Sequence, residues 1–395
     1  MKITFEKDIL IAAVTPAMSA VSDKNTISSI EGILFTTVEG GGCTLSTYDL
    51  EKGFRTTIPA QVNEAGNYII NAAKFFRIIR TMPERYITVE INEKNQVKIR
   101  SGKSEFSLSA LPGSEFPNLP ELTGEKSITL QQKVLKKTVA QITHAIGSSE
   151  QRAVLGGAYF RIHGNTLQAV ACDGNRLAVR EKICEIKSEG LGEGEEQNRI
   201  GFIVPGKTLS ELCKMISDSD KEIVMTFGRK HIIFAFDDIL FYSRMIDGEY
   251  IDYERVIPKD QGIHVVIDRL SFIESLERAS LVTDDKSLGQ VRSYVKCIFE
   301  DQLLKVNSVS TVSAANDEIE IQKEGGDLTI GFNCRFLLDA LRSISEEKIR
   351  LSMSTPLMSM VIEKAETTEE TEEENEKSEE KGSYLYMVCP VKMKE

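Results

Sequence analysis

Short alternating runs of hydrophobic and polar residues give way to longer apolar helical runs, and they do so three times in the same order. "ITFEKDILIAAVTPAMSA" from Ile3 opens with a period of two and passes into an apolar helix. "ITLQQKVLKKTVAQITHA" from Ile128 and "HVVIDRLSFIESLERASL" from His264 repeat it, with starts 125 and 136 residues apart. Recurrence at a near-constant spacing signals repeated architecture. Each opening is followed by alternating runs flanking a Gly, Asn or Asp turn, at 30–50, 155–174 and 291–308, which is a hairpin pattern.

A second amphipathic helix follows in each third, at 71–82, 205–217 and 333–344. Asn71 and Asn333 stand where N-caps are favoured, and Pro205 where a first-turn proline is tolerated. Closing strands are predicted at about 86–111, 222–247 and 348–391. The fold class is therefore α+β: three similar domains, 1–124, 125–258 and 259–395, each with two helices packed on antiparallel sheets.

One short stretch stays ambiguous at this level. In "VACDGNRLAV", residues 170–179, Asp173, Gly174, Asn175 and Arg176 interrupt two apolar runs. They suit an active-site loop or a tight turn between strands, and local spacing does not choose.

Charge alters the picture through its distribution. The chain of 395 residues carries a net −12, which ordinarily disfavours a polyanionic partner. Eleven of those twelve charges belong to two tracts, 188–198 and 363–381. Both lack aromatic and β-branched apolar residues and read as solvated loops; the second lies before the last strand. The remainder is nearly neutral.

Its cations gather on the predicted helices. Lys74, Arg77 and Arg80 share one face, opposite Phe75, Ile78, Ile79 and Met82. Lys133, Lys136 and Lys137 lie opposite Leu135, Val139 and Ile142, and neither helix contains an acid. Lys207 and Lys214 are set against Glu211, and Arg335 and Arg342 against Asp339. A basic face on any one helix is ordinary solvation. Six helical segments summing to about +6 in an acidic chain point to a helical layer that meets phosphates without reading sequence. No aromatic residues interleave these cations, so stacking on single strands is not expected.

Catalytic chemistry has no visible home. The four histidines (His144, His163, His231, His264) lack metal spacing, and no phosphate-binding or nucleophile-elbow motif occurs. The acidic clusters at 217–220 and 284–286 read as solvated turns. No enzyme activity, metal or cofactor is expected. Seven scattered cysteines without a C-x-x-C pair read as reduced thiols of a cytoplasmic protein. The first ten residues carry charges and no signal-peptide core.

Several stretches together resemble the bacterial DNA polymerase III beta subunit family, the sliding clamps. They are "RSGKSEFSLSALPGSEFPNLP" at 100–120, "DGNRLAV" at 173–179, "VPGKTLSELCKMI" at 204–216, "IDGEYIDYERVIPK" at 246–259, "IGFNCRFLLDAL" at 330–341 and "YMVCPVKM" at 386–393. The similarity covers the whole length apart from the two acidic tracts. It implies a non-catalytic head-to-tail homodimer, a ring around double-stranded DNA with helices lining the hole. Such a ring tethers the polymerase to its template.

The resemblance also implies site residues. A groove for short peptides of the polymerase III alpha subunit, clamp loader and other partners would have Leu155, Cys172, Gly174, Asn175, Arg176, Leu177, Ile251, Arg255 and Val256 on one side. Leu357, Ser359, Met387, Val388, Cys389, Pro390, Val391 and Lys392 would form the other, with Asp173 bracing the turn. The sequence departs from the family where Cys172 replaces a common Thr, Asn175 a His, Ile251 a Pro and Cys389 a Met. Phe106 and Leu108 would meet Arg278, Leu281 and Val282 across the dimer interface, and Lys24 and Arg152 would approach DNA beside the helical cations. A monomeric, sequence-independent DNA-binding module is the alternative.

Overall fold

The computed structural model describes residues 1–22, 27–120, 126–148, 152–190, 199–283, 294–310, 313–365 and 382–393. In the first third the elements run β1 (Lys2–Glu6), α1 (Lys7–Ala17), β2 (Gly32–Thr37), β3 (Cys43–Tyr48), β4 (Lys52–Ile58), β5 (Gln61–Glu64), β6 (Asn67–Asn71), α2 (Ala72–Thr81), β7 (Tyr86–Ile91), β8 (Gln96–Ser101) and β9 (Ser104–Pro112). The second gives β10 (Lys126–Gln131), α3 (Gln132–Ile142), β11 (Gly157–His163), β12 (Thr166–Cys172), β13 (Arg176–Ile183), β14 (Lys187–Glu189), β15 (Arg199–Pro205), α4 (Gly206–Met215), β16 (Glu222–Phe227), β17 (His231–Phe236) and β18 (Ile239–Arg244). The third gives β19 (Ile263–Asp268), α5 (Arg269–Thr283), β20 (Tyr294–Glu300), β21 (Leu303–Val309), β22 (Ala314–Glu320), β23 (Gln322–Glu324), β24 (Leu328–Asn333), α6 (Cys334–Arg342), β25 (Lys348–Met353), β26 (Met360–Lys364) and β27 (Gly382–Val388). Element for element, the three thirds share one order.

Local chemistry explains the boundaries. Strands such as β1 and β8 bury every second side chain, as a half-buried sheet requires. Asn71 and Asn333 cap as predicted: the Asn71 side chain accepts from the amide of Lys74, and that of Asn333 from the amides of Arg335 and Phe336. Pro205 ends β15 instead, and α4 starts at Gly206. The acidic stretch at 188–198 is not all loop, because Lys187–Glu189 pairs with β10 as an edge strand; residues 191–198 lie outside the described residues, as do 366–381.

The chain packs as two units, and the second third is shared between them. The first unit comprises Met1–Lys133, Lys187–Gly192 and Ser210–Met245. It holds a 14-stranded sheet ordered β14-β10-β16-β17-β18-β4-β3-β2-β6-β9-β8-β7-β1-β5. Its largest core joins Ile3, Phe5, Phe35, Phe75 and Ile79, and Phe35 meets Phe75 edge-on at 5.0 Å. The second unit comprises Val134–Ile186, Glu193–Leu209 and Ile246–Glu395. It holds a nine-stranded sheet, β15-β11-β12-β13-β27-β26-β25-β19-β23, and a four-stranded one, β22-β21-β20-β24.

Two junctions inside these sheets join one third to the next. β4 pairs antiparallel with β18, and β13 with β27. The joining strands hold equivalent places in the repeat, the fifth and eleventh elements. The third pair of that kind, β22 and β9, stays open: β22 pairs with β21 alone, and β9 over Ser104–Ser109 with β8 alone, among the described residues. Among the described residues, no helix is long and apolar enough to cross a membrane.

Candidate peptide groove, helical cations and open edges

The residues 173–175 form a tight turn between β12 and β13. Gly174, at φ 91°, takes a left-handed conformation that a side chain would strain. Asp173 Oδ1 accepts from the amides of Asn175 at 2.9 Å and Arg176 at 3.0 Å, so its carboxylate substitutes for backbone hydrogen bonds that a tight turn leaves unmade. The stretch is thus a hairpin turn between two strands.

Around that turn the structure collects most of the expected groove residues. Leu155, Cys172, Leu177 and Met387 are buried in one apolar cluster with Val170, Tyr253 and Val361, and Ile251 and Cys389 pack against it half-buried. β13 brings Leu177 opposite Met387 and Arg176 opposite Val388. The amide of Cys389 donates to the carbonyl of Asn175 at 2.8 Å, and that of Val391 to Gly331 at 2.8 Å. Pro390 bridges to Phe332. Ser359 Oγ donates to Cys389 Sγ at 3.3 Å. Backbone bonds therefore hold the 173–175 turn and residues 389–391 beside an apolar cluster that includes Leu155, Cys172, Leu177 and Met387.

Its margins are open. Leu357 is 77% exposed and Val256 51%, with Gly174, Asn175, Arg255, Val391 and Lys392 also exposed. Arg255 pairs with Asp252 at 2.7 Å. Arg176, expected as a wall, lies mostly buried: it binds Asp173 at 3.0 Å and Asp339 at 2.7 Å. Its guanidinium lies 4.3 Å from the ring centre of Phe336. Burial raises the Cys172 thiol above its ordinary pKa, partly offset by a bond from the Gly174 amide, so this thiol serves as an apolar group. Tyr253 and Val361 join the same cluster without a cue in the sequence; Tyr253 donates to Gln168 at 2.8 Å, and its place in "YIDYERV" gives no local signal.

Among the helical cations, Lys74, Arg77, Arg80, Lys137, Lys207, Lys214, Arg335, Arg342 and the loop residue Arg152 are exposed. Phe75, Ile79 and Met82 are buried beneath the α2 cations, with Ile78 half-buried. Lys133 and Lys136 are half-buried, and Lys133 pairs with Asp220 at 2.7 Å. Lys214 pairs with Glu211 and Arg342 with Glu277. Such exposed pairs contribute little and exchange readily for phosphate. Asp339, the one acid of α6, is paired with Arg176 at 2.7 Å. Lys24 lies outside the described residues.

For the dimer edge, Phe106 is 42% exposed on β9 and Leu108 half-buried. Arg278, Leu281 and Val282 lie on helix α5, with Leu281 80% exposed and Val282 buried. The strand edge of that third is β22, to which Arg278 is tied through Asp317. In the "AANDEIE" of β22 only Ile319 is buried and its inner face also carries Asp317, so hydrophobic alternation is weak there.

All seven cysteines are free thiols. No group of three His, Cys, Asp or Glu is placed to hold a metal among the described residues.

Comparison with known proteins gives one consistent answer. Profiles of the DNA polymerase III beta subunit match over residues 1–120 for its N-terminal domain, 129–252 for its central domain and 254–375 for its C-terminal domain. The beta sliding clamp of Staphylococcus epidermidis is 32% identical over 361 residues, spanning 89% of this chain and 92% of that protein. That of Staphylococcus aureus is 30% identical over the same length and shares. A crystal structure of a putative DNA polymerase III beta subunit from Eubacterium rectale aligns with a TM-score of 0.87 at 27% identity, covering 99% of each chain. The DNA polymerase sliding clamp of Bacillus subtilis aligns with 0.88 at 25%, covering 100% of each.

Proposed function

Because the chain belongs to the DNA polymerase III beta subunit family of sliding clamps, we propose that it encircles duplex DNA as a head-to-tail homodimer and tethers the replicative polymerase there. The open pair of edges carries this reading. Two of three equivalent strand junctions are closed within the chain, and among the described residues the two halves of the third, β22 and β9, are present but not paired with each other. Unpaired edges invite association. A head-to-tail contact used twice closes a ring of six domains with no edge left over.

The helical cations suit such a ring. Contacts with phosphates hold the duplex without fixing register, so the protein slides. Topology then supplies retention, and a polymerase held on the ring rebinds its primer end at high effective concentration. The apolar recess at the β13–β27 junction would take short partner peptides bearing Leu and Phe. Adaptable Met387 lines it and exposed Leu357 and Val256 rim it. The polymerase alpha subunit and the clamp loader are the expected bearers. This work needs no catalysis, and its place is with the DNA in the cytoplasm.

The test separates encirclement from simple binding. The protein is threaded onto linear duplex, the ends are ligated, and the circle is washed in high salt. Retention on the circle with release after one cut supports the ring; equal loss from circle and linear forms supports a monomeric DNA-binding module.

A further inference from the structure

The two closed junctions are built alike but anchored differently. At β4–β18, Asp49 Oδ1 accepts from the amides of Glu51 and Lys52, and the amide of Arg244 donates to Glu51 at 2.7 Å. At β13–β27, Asp173 and Cys389 make the matching bonds. The cation ending each turn then takes a different route. Lys52 stays in its own third: its Nζ lies 3.5 Å from Asp49 Oδ2 and donates to the carbonyl of Ser19 at 2.8 Å, in the 3-10 turn after α1.

Arg176 instead crosses into the next third. Its Nε binds Asp173 at 3.0 Å and its Nη1 binds Asp339 of α6 at 2.7 Å, while its plane rests on Phe336. The three polar side chains are 13%, 15% and 25% exposed. His144, in the 3-10 turn matching that of Ser19, lies 3.1 Å from Ser343 Oγ, and Ser343 Oγ donates to the carbonyl of Asp339 at 2.8 Å. A planar fork spanning two carboxylates, one of them in the next third, fixes orientation better than one ammonium shared between its own turn's carboxylate and a carbonyl. The stronger anchor stands at the junction with the open recess.

We propose that Asp339 is a positioning residue for the peptide groove, clamping Arg176 across the domain boundary so that the 173–175 turn is fixed against β27 before a peptide arrives. The proposal rests on the groove reading above. A turn is otherwise mobile, and ordering it on binding lowers affinity. With the clamp made, that ordering is already present in the free protein.

The test uses the full-length protein and a fluorescent hexapeptide bearing adjacent Leu and Phe, with affinity read by anisotropy. Asp339→Asn weakens binding about tenfold, the scale of one lost charge-assisted hydrogen bond. Asp339→Glu recovers most of it. Arg176→Lys loses as much as Asp339→Asn, because a point charge cannot span both carboxylates. Combining Asp339→Asn with Arg176→Lys is no worse than either alone, the non-additivity expected of partners. A general loss of packing would not be rescued by Glu and would not saturate in the double variant. If Asp339→Asn does not fold, Arg176→Lys and Asp339→Glu carry the test. Unchanged affinity in Asp339→Asn or Arg176→Lys, or additive losses, overturns the clamp while leaving the groove standing. Failure of the unaltered protein to bind any such peptide overturns both.

Discussion

Cys389 donates its amide to the carbonyl of Asn175 at 2.8 Å, joining the end of the last strand to a turn more than two hundred residues earlier. The bond is indifferent to side chains, so either residue can vary while the junction persists. Substitution at Cys389 or Asn175 therefore leaves the contact between the two segments in place, beside the cluster that holds Leu177 and Met387.

The rim of that recess is the place to test it. Val256 and Leu357 are exposed, so Val256→Asp and Leu357→Asp bury no charge in the free protein and leave its melting temperature within about 1 °C. Each is expected to weaken a Leu- and Phe-bearing peptide by about tenfold or more, because the carboxylate is desolvated on binding. Unchanged affinity in both variants argues against the groove.

The open edges make a separate prediction. Phe106 and Leu281 are exposed in the single chain, so Phe106→Asp and Leu281→Asp are expected to sediment as monomers with unchanged circular dichroism. β22 already carries Asp317, Glu318 and Glu320, and a new carboxylate on β9 would face like charge across the junction. Dimers that survive both substitutions would place the interface elsewhere.

DNA affinity is expected to follow ionic strength. Each phosphate contact contributes roughly 0.9 to the slope of log affinity against log salt. Replacing Lys74, Arg77 and Arg80 with Gln therefore reduces that slope by as much as about 3, with weakening equal across DNA sequences. Sequence-dependent loss, or no change in slope, removes α2 from the DNA-facing set.

These tests draw on unequal parts of the sequence. The helices and most strands were legible, since amphipathic periods and Asn caps act within a few residues; the caps at Asn71 and Asn333 formed as their spacing implied. That Leu155, Leu177 and Met387 gather was implied only by the resemblance, since they are ordinary apolar residues until a fold brings them together. What stayed hidden is the pairing of edges. β22 alternates weakly and pairs through backbone groups common to every residue. The Arg176–Asp339 bond spans 163 positions, and its acid reads in isolation as one more solvated charge on α6.

The last prediction concerns pH. His144 is mostly buried, near Arg176, and its ring lies 5.6 Å from that of Tyr386. Burial, then the Arg176 charge, lowers its pKa from 6.5 to about 4, against the opposing pull of Asp339 and Asp173. The unfolded chain therefore takes up a proton between pH 6.5 and 4 that the folded protein refuses. Stability is unaffected by this group above about pH 6.5, falls as the pH drops towards 4, and levels off below, for a total of up to about 3 kcal/mol. His144→Gln does not titrate and keeps a polar group towards Ser343. Urea midpoints at pH 7.5 and 5.0 are expected to fall further apart in the unaltered protein than in His144→Gln. Equal differences would mean that His144 is protonated in the folded state and that its burial beside Arg176 is not what holds it neutral.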